Sequence, residues 1–235
     1  MIDLTKISKW ELGKCFDHSV LPKQTTEEDI RQGCREAIKY NCAAFYSATS
    51  YWTPIVKEEL AETDILIGSG IDFPFGASAV EVKIAEVEYA IKAGCTVLDF
   101  VINIGAVKAK RYDIIKNELE AFKAAAKGIV TKVILEVCYL KDDEIAKVCE
   151  IIKDVGIDYA KTSTGQFEGP TMGQFLVMKK TLEGSRVKLK VSGVKFPRPQ
   201  NAYVFILAGA ELIGTRSAPE IIDAFDQMKE IGLIK

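Results

Sequence analysis

Four charged residues interrupt runs of apolar residues that otherwise have the composition of buried β-strands. They are Asp99, Glu136, Lys161 and Lys190. Burying an isolated charge is costly, so each side chain needs a buried partner or a chemical purpose. An ion-pair network inside the fold would account for any one of them taken alone. Two lysines on neighbouring strands favour chemistry instead.

Lys161 and Lys190 close two consecutive predicted strands, so their ammonium groups are expected to share one cavity. At about 6 Å and an effective dielectric constant of about 20, two such charges repel by about 2–3 kcal/mol. That repulsion lowers the pKa of one lysine by about two units, and burial lowers it further. A neutral lysine attacks carbonyl groups, and the protonated imine that results is an electron sink. The pair therefore predicts imine chemistry on one of the two lysines.

Asp99 ends the fourth predicted strand and is expected to face the same cavity. A carboxylate there can serve as an acid/base group or orient a water molecule that does so. Its simplest alternative role is to neutralise the two lysines.

Short loops rich in glycine and hydroxyl residues follow three of the predicted strands. Backbone amides and hydroxyls in such loops bind anions, and the loops after strands seven and eight frequently bind phosphate in (β/α)8 barrels. Arg216 could add a two-pronged contact. Ordinary turns share this composition, so the loops alone are weak evidence. The candidate residues are Thr164, Gly165, Ser192, Gly193, Gly214, Thr215, Arg216 and Ser217.

Eight strand-like runs alternate with longer segments of helical periodicity, and this alternation must position the charged residues. The predicted strands are 15–20, 43–47, 65–69, 97–102, 132–137, 159–162, 187–191 and 211–213. The predicted helices are 26–40, 51–62, 79–93, 113–127, 142–155, 172–182, 199–208 and 218–229. Eight βα units predict a (β/α)8 TIM barrel that forms one domain over residues 1–235. A doubly wound open sheet is the alternative, but its Gly-x-Gly-x-x-Gly turn is missing.

Composition restricts the class of partner. The net charge of −2 gives no electrostatic footprint for nucleic acid or an anionic membrane, so a small molecule is the expected partner. No apolar stretch is long enough to cross a bilayer and no secretion signal opens the sequence, which predicts a cytoplasmic protein. A single histidine, His18, rules out multi-histidine metal sites within one chain, and we expect no metal.

Several motifs resemble those of the deoxyribose-phosphate aldolase family, and the resemblance covers most of the chain, from Asp17 to Thr215. The most specific runs are Phe73-Pro74-Phe75-Gly76, Glu81-Val82-Lys83, Asp99-Phe100-Val101-Ile102-Asn103-Ile104-Gly105, Val133-Ile134-Leu135-Glu136 and Lys161-Thr162-Ser163-Thr164-Gly165, with the Lys-x-Ser-Gly run Lys190-Val191-Ser192-Gly193 on the next strand.

The resemblance implies specific roles. Lys161 would be the Schiff-base lysine, Lys190 the lysine that depresses its pKa, and Asp99 the acid/base residue or water organiser; Asp17 would bind substrate. This class I family reversibly cleaves 2-deoxy-D-ribose 5-phosphate to acetaldehyde and D-glyceraldehyde 3-phosphate. It uses no cofactor and usually forms homo-oligomers.

The sequence departs from the family pattern near the expected anion loops. Val194 follows Gly193 where a second glycine is usual, and Arg216 stands where a small residue is usual. The second strand carries the aromatic Tyr46, which could replace a C-terminal tyrosine that some members use in proton exchange. We hypothesise that the imine machinery is intact while acceptor recognition has changed, toward another sugar phosphate or a carboxylate held by Arg216.

Two other interpretations remain open from the sequence. A transaldolase or a 2-keto-3-deoxy-acid aldolase would share a lysine on the sixth strand, but neither predicts the second lysine at position 190. A barrel that binds a sugar phosphate without catalysis would explain the altered anion loops.

Overall fold

Eight parallel strands form a closed barrel in the computed structural model, which describes residues 2–234. Each strand pairs with the next in sequence, and the last pairs with the first, as in the register Asp17 to Gly214. This confirms the predicted (β/α)8 fold. The strands are β1 (Phe16–Val20), β2 (Ala44–Ser47), β3 (Leu66–Ile71), β4 (Val97–Val101), β5 (Val130–Ile134), β6 (Tyr159–Lys161), β7 (Lys188–Ser192) and β8 (Leu212–Thr215).

Eleven α-helices occur in the described residues, most of them between consecutive strands. They are α1 (Lys9–Leu12), α2 (Glu27–Lys39), α3 (Thr53–Glu59), α4 (Val80–Ala93), α5 (Ile104–Lys108), α6 (Tyr112–Ala125), α7 (Asp142–Val155), α8 (Met172–Thr181), α9 (Arg198–Ala208), α10 (Ala218–Asp223) and α11 (Phe225–Glu230). The ends of the predicted single domain, residues 1 and 235, lie outside the described residues, and the domain assignment stays a prediction.

The fifth strand differs most from its prediction. The sequence predicts a strand over 132–137, whereas β5 runs from Val130 to Ile134. Glu136 adopts φ 50° and ψ 61°, a left-handed conformation that is incompatible with a strand. Glu136 therefore lies beyond the strand that it was expected to close.

Some helices also differ from prediction, for local reasons. The helix predicted over 51–62 begins at Thr53, with Pro54 in its first turn, because proline fits where no amide donor is needed. The helix predicted over 218–229 is divided at Ala224 into α10 and α11. Helix α5 was not predicted, although the side chain of Asn103 caps it by accepting from the Ala106 amide.

Alternation along the strands separates a core outside the barrel from its interior. In β4, Leu98 and Phe100 pack into the large cluster between sheet and helices, whereas Val97 packs with residues of β2 in a small inner cluster. Because successive side chains point to opposite faces, Asp99 shares the inward face of Val97. The same period places Tyr46 of β2 on the inside.

A buried ion pair supports the carboxyl end of β4. Lys83 of α4 donates to Glu118 of α6 at 2.8 Å and to the carbonyl of Val101 at 3.0 Å. The other Glu118 oxygen accepts from the Asn103 amide at 3.0 Å. Two helices and the end of β4 are thereby tied together just above Asp99.

Replacing Lys83 with alanine tests this support. The substitution leaves the Glu118 carboxylate buried without its cation, so we expect the free energy of unfolding to fall by about 3–5 kcal/mol. The exposed Lys116, 3.8 Å from Glu120 on α6, provides the control, and K116A should cost less than about 0.5 kcal/mol. Urea unfolding measures both, and equal losses would contradict this role of the pair.

Candidate active site

The three residues predicted to do chemistry meet inside the barrel. The Lys161 Nζ lies 2.6 Å from Asp99 Oδ2, and the Lys190 Nζ lies 2.8 Å from the same oxygen. All three side chains are buried. They come from β4, β6 and β7, and register aligns Lys161 directly with Lys190. Closure of the barrel therefore brings together groups that are up to 91 residues apart in sequence.

Two further buried charges extend this group. Asp17 Oδ2 lies 2.7 Å from the Lys190 Nζ and 2.6 Å from the Lys132 Nζ. We call the five residues Lys161, Asp99, Lys190, Asp17 and Lys132 the charged string. Its members alternate in sign, so each aspartate lies between two lysines, with three cations against two anions.

The environments of the two lysines at the top of the string differ. Burial lowers the pKa of Lys161 to about 8; Asp99 opposes this change and Lys190 adds to it. Burial also opposes the ammonium form of Lys190, but Asp17 and Asp99 together raise its pKa above the usual value. Lys161 is consequently the lysine that loses its proton more easily.

The cause of this difference was only partly predicted. Repulsion between the two lysines was the expected main cause, whereas in the structure burial contributes most and the carboxylate of Asp99 lies between the ammonium groups. Burial alone would raise the pKa of Asp99, but Lys161 and Lys190 hold it well below its usual range. Asp99 therefore remains ionised and acts as a hydrogen-bond acceptor.

Glu136 lies outside the charged string and bonds to the loop that follows β6. Its carboxylate accepts from the amide and the hydroxyl of Thr164. Burial raises the pKa of Glu136, while these bonds and Lys161 oppose the rise. The left-handed Glu136 thus fixes the loop that follows the Schiff-base candidate.

A cavity of about 580 Å³ opens above the charged string at the carboxyl ends of the strands. Ser217 does not line it; its amide donates to the Thr215 hydroxyl at 3.0 Å. The buried Val194, next to Gly193, contributes an apolar wall. The predicted residues that line the cavity are Asp17, Asp99, Thr164, Gly165, Lys161, Lys190, Ser192, Gly193, Gly214, Thr215 and Arg216.

Cations surround the mouth of this cavity. Arg216 is exposed, and it has no hydrogen-bond or ion-pair partner within residues 2–234. Arg198 also lines the cavity, with its guanidinium 5.9 Å from the Phe196 ring. Lys195 differs from both because it pairs with Glu168 at 2.8 Å. Two arginines are thus available to an anionic ligand.

Glycines allow close approach in two places. A Cβ atom on Gly214 would lie 2.2 Å from Ser192 Oγ and 2.9 Å from Lys190 Cε. Gly214 therefore leaves the space that the Lys190 side chain occupies. In the neighbouring loop, Gly193 has φ 74°, a conformation that glycine adopts without strain.

The sequence did not predict Lys132 as a site residue, and it did not predict the contact between Tyr46 and Asp99. Lys132 was placed at the start of its strand, where a charged residue is unremarkable, yet its β5 position is buried and paired with Asp99 in register. The Tyr46 hydroxyl donates to Asp99 Oδ1 at 2.7 Å. Within residues 2–234, no group of three or more His, Cys, Asp or Glu side chains is placed to hold a metal ion.

Comparison with known proteins identifies the family. A sequence model of the DeoC/LacD family aldolases matches residues 13–201. The chain belongs to this aldolase family. Membership confirms the resemblance found from the motifs around Lys161 and Lys190.

Individual relatives of the DeoC/LacD chain agree over nearly its whole length. The deoxyribose-phosphate aldolase of Clostridium novyi (strain NT) is 40% identical over 213 residues, which are 90% of this chain and 95% of the relative. That of Clostridium tetani (strain Massachusetts / E88) is 38% identical over 214 residues, covering 91% and 98%. The tetrameric deoxyribose phosphate aldolase of Aeropyrum pernix superposes with a TM-score of 0.83 at 26% identity, covering 96% of both chains.

The space left by Gly214 can be tested directly. In G214A the added methyl group forces Lys190 away from its aspartates, so we expect the rate of imine formation to fall at least about tenfold. The control is G173A in α8, where the nearest atom to the new methyl group is 3.8 Å away. Rates follow from borohydride trapping with acetaldehyde. Similar rates in both variants would show that the space is not needed.

Proposed function

We propose that the protein is a class I aldolase that reversibly cleaves 2-deoxy-D-ribose 5-phosphate, or a related sugar phosphate, to acetaldehyde and D-glyceraldehyde 3-phosphate. The observation that supports this most directly is Lys161, which has a pKa of about 8 and lines the cavity. The names of the relatives support the choice of substrate.

The proposed chemistry follows from the difference in pKa between Lys161 and Lys190. Neutral Lys161 attacks the aldehyde carbon of the open-chain sugar, and loss of water gives a protonated imine. The hydroxyl on the third carbon gives its proton to a water molecule ordered by Asp99 as the bond between the second and third carbons breaks, and the electrons of that bond move into the protonated imine to give a neutral enamine. The same water returns a proton to the enamine carbon, and hydrolysis of the resulting imine by a second water releases acetaldehyde and regenerates the Lys161 amine, with no cofactor in the sequence of steps.

The charged neighbours have separate tasks in this proposal. Lys190 remains an ammonium group that shares the Asp99 oxygen with Lys161, and its charge disfavours protonation of the reacting nitrogen. Because Asp99 stays ionised, it orders the donors around it rather than supplying a proton. Asp17, expected to bind substrate, holds Lys190 and Lys132 through one oxygen.

We assign the part of the substrate that becomes D-glyceraldehyde 3-phosphate to the mouth of the cavity, where Arg216 lies. Ser192, Gly193 and Thr215 line the cavity together with Arg216, and residues of these types offer backbone amides and hydroxyls to an anion. A phosphate is our first assignment for this end. A carboxylate held by Arg216 is the alternative, because a guanidinium binds both groups in the same two-pronged way. A non-catalytic sugar-phosphate-binding protein is disfavoured by the low pKa of Lys161, which binding alone does not require.

Assembly and location remain predictions. A homo-oligomer is expected, and the Aeropyrum pernix relative is tetrameric. No helix in the described residues is long and apolar enough to cross a membrane. The cytoplasmic location expected from the sequence stays a prediction.

Trapping with acetaldehyde and borohydride, followed by peptide mass analysis, tests the chemistry. We expect a two-carbon adduct on Lys161 and none in K161A. The control K195A removes another lysine of the cavity and should keep the adduct. The neutral amine increases as pH rises through about 8, so the trapping rate should rise roughly tenfold between pH 7 and pH 9. A folded wild-type protein without an adduct would refute acetaldehyde as the donor.

Arg216 tests the acceptor assignment. R216Q removes one of the two arginines available at the mouth, so we expect the KM for 2-deoxy-D-ribose 5-phosphate to rise about ten- to hundredfold while imine trapping with acetaldehyde is retained. The control is R186Q, because Arg186 is also exposed but lines a different cavity. Unchanged KM in R216Q would remove Arg216 from substrate binding.

A further inference from the structure

Tyr46 is placed against the centre of the charged string. Its side chain is buried, its hydroxyl donates to Asp99 Oδ1 at 2.7 Å, and the Lys190 Nζ lies 4.1 Å from the centroid of its ring. Strand β3 makes room for it: Gly68 is the register partner of Tyr46, and a Cβ atom there would lie 2.5 Å from the ring. Two strands therefore cooperate to hold one aromatic side chain inside the barrel.

We propose that Tyr46 is a positioning residue that makes the two lysines unequal, keeping Lys190 charged and leaving Lys161 as the amine that becomes neutral. The proposal rests on the imine chemistry proposed above for Lys161. It assigns the aromatic ring and the hydroxyl group two separate contributions.

The ring acts on Lys190. A cation over the face of an aromatic ring is stabilised within about 6 Å, and more strongly when it is closer and shielded from water. The Lys190 Nζ lies at 4.1 Å from the centroid, whereas the Lys161 Nζ lies at 6.0 Å, the limit of this range. The ring therefore stabilises the charged form of Lys190 much more than that of Lys161.

The hydroxyl acts on Lys161 through Asp99. Lys190 has two carboxylate partners, Asp17 and Asp99, whereas Lys161 has Asp99 alone. A hydrogen bond from Tyr46 draws part of the negative charge of Asp99 toward Oδ1, away from the oxygen that contacts Lys161. The Lys161 ammonium group is consequently less well stabilised than it would be beside an unshared carboxylate.

Several other titratable groups near Lys161 also affect how its protonation depends on pH. Burial and Asp99 raise the pKa of the Tyr46 hydroxyl well above its usual value, so Tyr46 remains a neutral donor throughout the working range. Glu136 is the further carboxylate that interacts with Lys161. The titratable groups that face Lys161 are Asp17 of β1, Tyr46 of β2, Asp99 of β4, Glu136 after β5 and Lys190 of β7, and Lys132 of β5 lies at the other end of the charged string.

Competitive labelling with acetic anhydride tests the proposal without relying on any substrate. Peptide mass analysis of samples labelled between pH 6 and pH 11 gives the titration midpoint of Lys161. In Y46F the ring remains and only the hydroxyl is lost, so the Lys161 midpoint should rise by about half a unit or more. In Y46L the ring is lost as well, and the rise should reach about one unit.

The expected kinetic result has a distinct form. At pH 7, imine trapping with acetaldehyde should slow about threefold in Y46F and about tenfold in Y46L, while the rate of Y46F at pH 10 stays within about twofold of wild type. A purely structural tyrosine would instead lower the rate at every pH and leave the midpoint in place. The matched control is Y203F, which removes a buried hydroxyl that donates to the Ile221 carbonyl outside the barrel interior. The titration midpoint of Lys161 should not move in this variant.

The outcomes separate this proposal from the proposed function. An unshifted or lowered Lys161 midpoint in folded Y46F overturns the role of Tyr46, whatever the activity. A shifted midpoint supports it even if acetaldehyde forms no adduct on wild-type Lys161, a result that would refute only the proposed donor. The conservative Y46F change keeps the test decisive if Y46L does not fold.

Discussion

One carboxylate oxygen between two buried lysines is the constraint on which the site depends. Asp99 Oδ2 is within 2.8 Å of both ammonium nitrogens, and it is the one carboxylate of the string that pairs with Lys161. The rest of the barrel positions that oxygen. Strand β4 is buried along its whole length, and the ion pair of Lys83 with Glu118 secures its carboxyl end. Packing far from the cavity thus determines where the chemistry can occur.

Space inside the barrel is as important as charge. Large groups on one strand face glycines on the next: Tyr46 lies beside Gly68, and Lys190 extends past Gly214. A parallel barrel has little free volume at its centre, because side chains from alternate strands fill it in layers. Here the layers contain ionised groups in place of branched apolar ones, and small residues compensate for their length.

Much of this arrangement could be predicted from sequence, and the remainder could not be for an identifiable reason. Alternating strands and helices indicated the barrel, and charges in apolar strands indicated Asp99, Lys161 and Lys190. Lys132 lies 115 residues from the aspartate that it pairs with, and no local pattern encodes such a partner. The prediction that Glu136 lies in a strand was wrong. Its left-handed backbone is stabilised by bonds to Thr164, and local sequence does not show such tertiary bonds. Local periodicity predicts which face a residue occupies, but not which group it meets there.

The count of charges in the string has a consequence for the energetics of the proposed cycle. Three lysines and two aspartates leave one surplus positive charge within the string, and the string by itself is balanced only when the nitrogen of Lys161 is neutral. The iminium intermediate restores the surplus, and the enamine removes it. Breaking the carbon–carbon bond therefore removes the surplus from the string, because the released proton passes to water in the cavity, whereas protonating the enamine carbon restores it. Repulsion from the other two lysines of the string thus favours the enamine over the iminium that precedes it.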